Sequence, residues 1–397
     1  MSAAAEEWNR TTNGRGRVAE SSEAEVARPV DRQYFLCVWA LMIAGIVFVF
    51  SASFPQAGRP DALLLPGDAY RFVKEHSLYV ALAFALMLVA SRISPRRLRE
   101  LMPWMVGIGL LLNGLVLFSP WGVELNGARR WLDLPGLPRF QPSEPMKIAF
   151  ILLLAHVLAK KDERKLEGRV AGAWVLFIMG CVGVVLLMQR DQGMATIYAS
   201  IMFALLFLSG VRLWSLAALV AGGLGLGLAL AHSKPYRWRR IIAFLDPENA
   251  PPKDRYHILN MLIAQARGGV TGTGLGMSPD KWYSLPAAHT DSIFSVIACE
   301  FGLIGAIVVL VAFAVLTARG LKLAFGSDSS FGFYAAAGAS ALICLQALAH
   351  IAVNTSCMPV TGLTLPFISG GGTSLVSAAA AAGIVLAVSR HQRSCEA

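Results

Sequence analysis

Charge is what this chain has least of. Only 15% of its residues are Asp, Glu, Lys or Arg, where a soluble protein carries roughly 25%. So little polar surface cannot clothe a water-soluble fold of this size. The hydrophobic residues, 55% of the total, come in long blocks and not in short strands or stripes. An ordinary cytosolic enzyme and a disordered chain are both excluded. Paired cysteines are missing too. Cys37, Cys181, Cys299, Cys344, Cys357 and Cys395 show no CxxC spacing, and four of them sit inside apolar runs, where a free thiol behaves as a small hydrophobe. Neither a disulfide scaffold nor a zinc site follows. Acidic groups are outnumbered, giving a net charge of +10. The basic residues are scattered over loops between apolar blocks, however, whereas a nucleic-acid binder gathers them on one face. No nucleic-acid partner is expected. What remains is an all-α polytopic membrane protein surrounded by lipid.

A bilayer core of about 30 Å takes roughly 20 apolar residues as a helix. Ten such runs lie near 34–53, 72–91, 101–119, 144–159, 171–189, 194–210, 213–231, 291–318, 331–353 and 374–390. Lys and Arg collect after the second, fourth, sixth, eighth and tenth runs (Arg92 to Arg99, Lys160 to Arg169, Arg212, Arg319 with Lys322, Arg390 with Arg393). Basic short loops face the cytoplasm, which predicts ten transmembrane helices with both termini cytoplasmic. The expected organisation is a polar, disordered tail over 1–33, a membrane domain over 34–390 and a short cytoplasmic tail over 391–397. Ser51-Ala52-Ser53 imitates a signal-peptide cleavage site, but the first run is too long for a signal core, so an uncleaved span is expected. The long extracytoplasmic loops are 120–143, 354–373 and, between helices 7 and 8, a large one over 232–290. Chemistry should therefore sit on the outer face.

Several residues there could carry it. Ser143-Glu144-Pro145 looks like a capped helix start. Glu144 and Lys147 then share a helix face at the bilayer edge, as a self-neutralising pair or as a functional one. Lys234, Arg237, Arg239 and Arg240 form a basic cluster able to clamp a phosphate or lie on headgroups. Tyr256 to Ala266 suits a short interfacial helix. Gly272, Gly274 and Gly276 read as flexible backbone closing over something and not as a Rossmann turn, because no strand precedes them. The sharpest spot is His289-Thr290-Asp291, a polar triplet tipping into the eighth run. Thr290 or Asp291 could simply cap that helix. Yet a carboxylate dehydrated at a membrane surface has a raised pKa, which suits a general base. Glu300 lies further along the same run, available as an ion-pair partner for Lys147 or Arg130. Asn354 to Ser374 holds too many Pro and Gly residues for an ordinary helix. Its backbone must therefore be buried in protein or line a wet cavity, with Asp291 expected on the same cavity.

With these segments quoted, the chain resembles the SEDS family (shape, elongation, division and sporulation proteins, typified by FtsW, RodA and SpoVE). The segments are Gly127-Ala128-Arg129-Arg130-Trp131, Gln141-Pro142-Ser143-Glu144 with Lys147, Lys281 with Leu285-Pro286 and His289-Thr290-Asp291, Glu300 to Gly305, and Pro359 to Ser374. The resemblance covers about 34–390, and Gly272 to Gly276 looks closer to the FtsW and SpoVE branch. The chain departs from the family pattern at Ala287, Cys299, Gln189-Arg190, Gly370 and Thr373. The resemblance implies a peptidoglycan glycosyltransferase that polymerises lipid II on the outer face of the cytoplasmic membrane. Asp291 would be its catalytic base. Arg130, Glu144, Lys147, Lys281, His289, Thr290, Glu300, Ser369 and Thr373 would be substrate-binding residues. It also implies a class B penicillin-binding protein and other division proteins as partners. No motif calls for a cofactor; a divalent cation near Asp291 and the diphosphate is the one candidate. Two rival readings stay open, a lipid II flippase and a non-catalytic scaffold that activates its transpeptidase.

Overall fold

The computed structural model describes residues 29–57, 70–125, 127–136, 138–232, 235–246, 249 and 251–391. The tail calls over 1–33 and 391–397 therefore fall largely outside the described residues. Helices occupy all ten predicted positions: α1 (Arg32–Ala57), α2 (Arg71–Ala90), α3 (Pro95–Phe118), α4 (Ser143–Asp162), α5 (Gly168–Met188), α6 (Gln192–Leu208), α7 (Leu213–His232), then α11 (Ile293–Phe325), α12 (Ser330–Asn354) and α13 (Gly372–Arg390). Eight of these are long and apolar enough to cross a membrane. The two others have physical reasons to fall short. Helix α6 has only 17 residues, and α4 carries Glu144, Lys147, Lys160, Lys161 and Asp162. Between α7 and α11 lie α8 (Pro235–Leu245), α9 (Pro252–Gly268) and the single turn α10 (Asp280–Tyr283). Helix α9 is the short helix expected around 256–266. Within the basic cluster, Lys234 lies outside the described residues.

Helices α4, α12 and α13 are the enclosed centre of the bundle, and most residues of each are buried. Helix α7 is the opposite case, with only Leu216 and Ala231 buried. Helix α3 begins at Pro95, earlier than the apolar run, because Ser94 caps it through a 3.4 Å bond from the Arg97 amide. Of the arginines taken for loop, Arg96, Arg97 and Arg99 thus belong to a helix while Arg92 stays in the turn, and Arg99 pairs with Glu163 at 2.9 Å. The five described cysteines are free.

Two features correct the sequence reading. The protein is not wholly α. An antiparallel hairpin, β1 (Gly122–Leu125) with β2 (Ala128–Leu132), follows α3. Its signal was present in Asn126-Gly127, the favoured pair for a two-residue hairpin turn. Second, α11 is broken at Gly302 (φ 64°, ψ −160°), backbone that is essentially glycine-only. The glycine-rich segment before α10 fills the break. Thr273 and Gly274 amides donate to the Cys299 and Glu300 carbonyls at 2.9 Å, while the Leu303 amide donates to the Gly269 carbonyl at 2.9 Å. These glycines are thus a backbone clamp on an interrupted helix and not a flexible cover. A methyl group at Gly302 would stand 2.4 Å from the Val270 carbonyl oxygen. Gly302→Ala should therefore cost about 3 kcal/mol, read as a lowered melting temperature in detergent. Gly107→Ala, with open space around it, should show no loss.

Candidate functional site

The hairpin exists to aim two arginines in opposite directions, since successive side chains on a strand alternate faces. Arg129 turns back, donating to the Gly122 carbonyl at 3.1 Å and to the Ser119 carbonyl, and so ties the hairpin to the end of α3. Arg130 turns the other way, into a cavity of about 350 Å³. Its guanidinium lies 3.5 Å from Asp191 and donates to the Arg190 carbonyl at 3.0 Å. Asp191 caps α6, accepting from the Met194 amide at 3.2 Å, and its other oxygen accepts from Gln141 at 2.8 Å. Burial pushes the Asp191 carboxyl above its ordinary pKa, against the pull of Arg130. Asp191 was passed over in the sequence. Its signal was the Gln189-Arg190-Asp191 break between two apolar runs.

The floor of the cavity holds His289, Thr290 and Asp291, faced by Gly362 to Thr364 and Gly370 to Ser374 of the segment between α12 and α13. As expected, that non-helical segment borders the same cavity as Asp291. The helix-cap explanation for the triplet fails. Ser292 is the residue at the start of α11, without a side-chain cap bond, and its hydroxyl donates to the Pro286 carbonyl at 2.9 Å. The Thr290 hydroxyl donates to the Ala287 carbonyl at 3.3 Å. Asp291 is half-buried and lines the cavity, with its backbone carbonyl accepting from Asn354 at 2.9 Å. Asn354 also accepts from the Ser295 amide and hydroxyl at 3.3 and 2.9 Å. It therefore holds the Asp291 turn to the end of α12. His289 packs its ring 4.9 Å from Phe72, and burial lowers its pKa, which keeps the imidazole neutral.

The remaining expected site residues divide between the cavity wall and the layer behind it. Glu144 and Thr373 line the cavity. Lys147 is buried behind Glu144, 2.6 Å from its carboxylate, and donates to Gln346 at 2.7 Å. Gln346 in turn donates to the Ser374 hydroxyl at 3.0 Å, so Lys147 links α4 to α12 and α13. It is not itself on the cavity surface. Ser369 also faces inward, accepting from the Leu365 amide at 2.8 Å and donating to the Thr290 carbonyl at 2.9 Å. Lys281 and Glu300 lie elsewhere, paired at 2.7 Å in a dry contact that also takes in Ser51 of α1. The partner expected for Glu300 was Lys147 or Arg130; the pair forms with Lys281 instead. Among the described residues no three His, Cys, Asp or Glu side chains come together as a metal-holding set. The donors around Asp291 thus do not by themselves fit a divalent cation.

Fold and cavity together define a multi-pass helical membrane protein built around a polar chamber lined by Arg130, Arg139 and the carboxylates of Glu75, Glu144, Asp191 and Asp291. Comparison with known proteins narrows the class. Residues 31–394 match the FtsW/RodA/SpoVE family, described as cell cycle proteins, and the chain belongs to that family. It is 36% identical over 365 residues to the "Probable peptidoglycan glycosyltransferase FtsW" of Geobacter metallireducens, covering 91% of this chain and 95% of the relative. The protein of the same name from Idiomarina loihiensis is 33% identical, over 91% and 88%. Among solved structures, one described as "Structural coordination of polymerization and crosslinking by a peptidoglycan synthase complex" superposes with a TM-score of 0.73 at 29% identity, over 91% of this chain and 98% of the other. The rod shape determining protein RodA of Thermus thermophilus gives 0.67 at 28%, over 92% and 98%.

Proposed function

We propose that this chain is a peptidoglycan glycosyltransferase of cell division, polymerising lipid II on the outer face of the cytoplasmic membrane. The single observation that carries the reading is one cavity that holds Asp291 and Arg130 together, a base and a cation facing one substrate. Family membership and the names of the curated relatives supply the substrate class. In this reading all ten helices at the predicted positions cross the membrane, α4 and α6 included, both termini are cytoplasmic and the cavity opens outward.

The chemistry is an inverting displacement. The acceptor sugar's 4-hydroxyl oxygen bonds to the donor's anomeric carbon as that carbon's bond to the diphosphate oxygen breaks. Asp291 takes the hydroxyl proton, and undecaprenyl diphosphate leaves with the bonding electron pair. A diphosphate needs no acid to leave; it needs fixed positive charge as its own charge develops. Arg130 is placed to supply that charge, with Asp191 and the Arg190 carbonyl fixing its orientation. Lys147 acts through Glu144, as the cation that keeps a carboxylate tolerable in the wall. A divalent cation, if one binds, would draw most of its ligands from the diphosphate and water, and no step is routed through it. The partner that crosslinks the product is a class B penicillin-binding protein.

The test is glycan polymerisation from purified lipid II by the full chain, alone and with a candidate class B transpeptidase. Strands in either reaction support the reading. A folded protein that binds its partner yet makes no strands, and moves lipid II across a vesicle membrane, sinks it in favour of a flippase. A smaller effect reports on the arginine wall. A hydrogen bond to a charged group is worth about 1.5–3 kcal/mol, so Arg130→Ala should weaken kcat/KM by roughly ten- to a hundredfold. Arg130→Lys should recover only part of that, because an ammonium lacks the planar fork.

A further inference from the structure

We infer that the face of α2 bordering the cavity is a carbohydrate subsite, anchored by hydrogen bonds from the buried imidazole of His76. Phe72, Glu75, His76 and Tyr79 all line the cavity, and their spacing of three, four and seven puts them on one helical stripe. His76 is 3% exposed. Both of its ring nitrogens are buried with no hydrogen-bond partner in the protein. Leaving a buried polar group unsatisfied forfeits its hydrogen bonds to water with nothing in return, a poor use of a position that a Leu could fill. The neighbouring His289 also has a buried Nδ1 without a partner, so two imidazoles with unused polar atoms border one chamber.

The chemistry of this wall selects among the parts of the substrate. No cation of α2 lines the cavity; Arg130 and Arg139 come from the other side, on and after the hairpin. The diphosphate belongs there. The α2 stripe offers two aromatic rings, an imidazole and, at its exposed edge, the Glu75 carboxylate. A neutral imidazole has one donor nitrogen and one acceptor nitrogen, which matches a sugar hydroxyl, itself both donor and acceptor. Phe72 and Tyr79 offer apolar faces to the C–H side of a pyranose, in keeping with pockets that set a few polar groups among aromatic walls. Rigid backing holds the stripe in place. The Tyr79 ring packs so tightly on Gly372 that a Cβ there would stand 2.6 Å from it, and Phe72 is braced by His289.

This inference rests on the reading that the substrate is a lipid-linked disaccharide, and the experiment separates the two. The full chain with its transpeptidase partner is assayed over a range of lipid II concentrations as wild type, His76→Phe and His76→Ala, alongside substrate-induced shifts in melting temperature. The expected result is a KM raised about tenfold by loss of a hydrogen bond in a site built for it, a smaller change in kcat, and a weakened lipid II-induced shift. Polymerisation by wild type with KM unchanged within twofold in either folded variant overturns the subsite while leaving the enzyme reading intact. If both variants fail to fold, His76 is structural and the subsite is likewise overturned. If the wild type itself makes no strands but is still stabilised by lipid II, and both variants lose that stabilisation, the enzyme reading falls and the subsite stands.

Discussion

Asp291→Asn is expected to lower the polymerisation rate by about 10²–10⁴-fold, the usual worth of a positioned general base, while leaving the fold and lipid II binding intact. The substitution keeps the size and planarity of the side chain while removing its charge and basicity and turning one acceptor oxygen into an NH2 donor. The structural cost should be small for a specific reason. Asp291 is not the cap of α11, and the turn is held through its backbone carbonyl by Asn354, which the change does not touch. Single-turnover rates with purified lipid II, next to thermal melts of both proteins, give the answer. A folded variant polymerising at the wild-type rate would falsify the assignment of the base. A variant that neither binds lipid II nor melts at the wild-type temperature would show instead that Asp291 holds the chamber together.

The transmembrane helices were legible because lipid imposes a crude rule: roughly 20 apolar residues between charged loops. The place of Asp291 on the cavity was legible because it tips into an apolar run while the segment from Asn354 to Ser374, too rich in Pro and Gly for an ordinary helix, needs a wet cavity to line. What the one-dimensional pattern could not carry was the direction in which a buried charge points. Glu144 and Lys147 were rightly paired by their spacing, yet only the fold puts Glu144 on the wall and Lys147 behind it against Gln346. The break at Gly302 was hidden because nothing in an apolar helix announces an interruption whose carbonyls are satisfied by a segment about 30 residues earlier. The α2 stripe was hidden for a similar reason. A lone His in an apolar run is more often a satisfied core residue, and its lack of a protein partner is visible only in three dimensions.

Lys281→Met should be the most destabilising single change, and its repair by a second substitution would separate support from catalysis. Lys281 and Glu300 are almost fully buried and 2.7 Å apart, with Ser51 bonded to both at 2.9 and 2.7 Å. Removing the ammonium strands the carboxylate in a dry site, which costs about 3–5 kcal/mol, whereas replacing both partners with apolar residues of similar volume is often neutral. The contact matters because of what converges on it. Ser51 brings α1, Lys281 brings the start of the segment that ends at Asp291, and the Glu300 carbonyl accepts from Gly274 at the break in α11 at 2.9 Å. The Asp291 segment is thus pinned at one end by Glu300 and at the other by Asn354. The single variant should melt well below wild type and lose polymerisation with its fold. The double variant Lys281→Met with Glu300→Leu should regain most of the melting temperature. Recovery of at least half the wild-type rate in that double variant would mean the pair only positions the segment. A double variant that is folded but inactive would mean that Lys281 meets the substrate, as the resemblance implied, against its place in the structure.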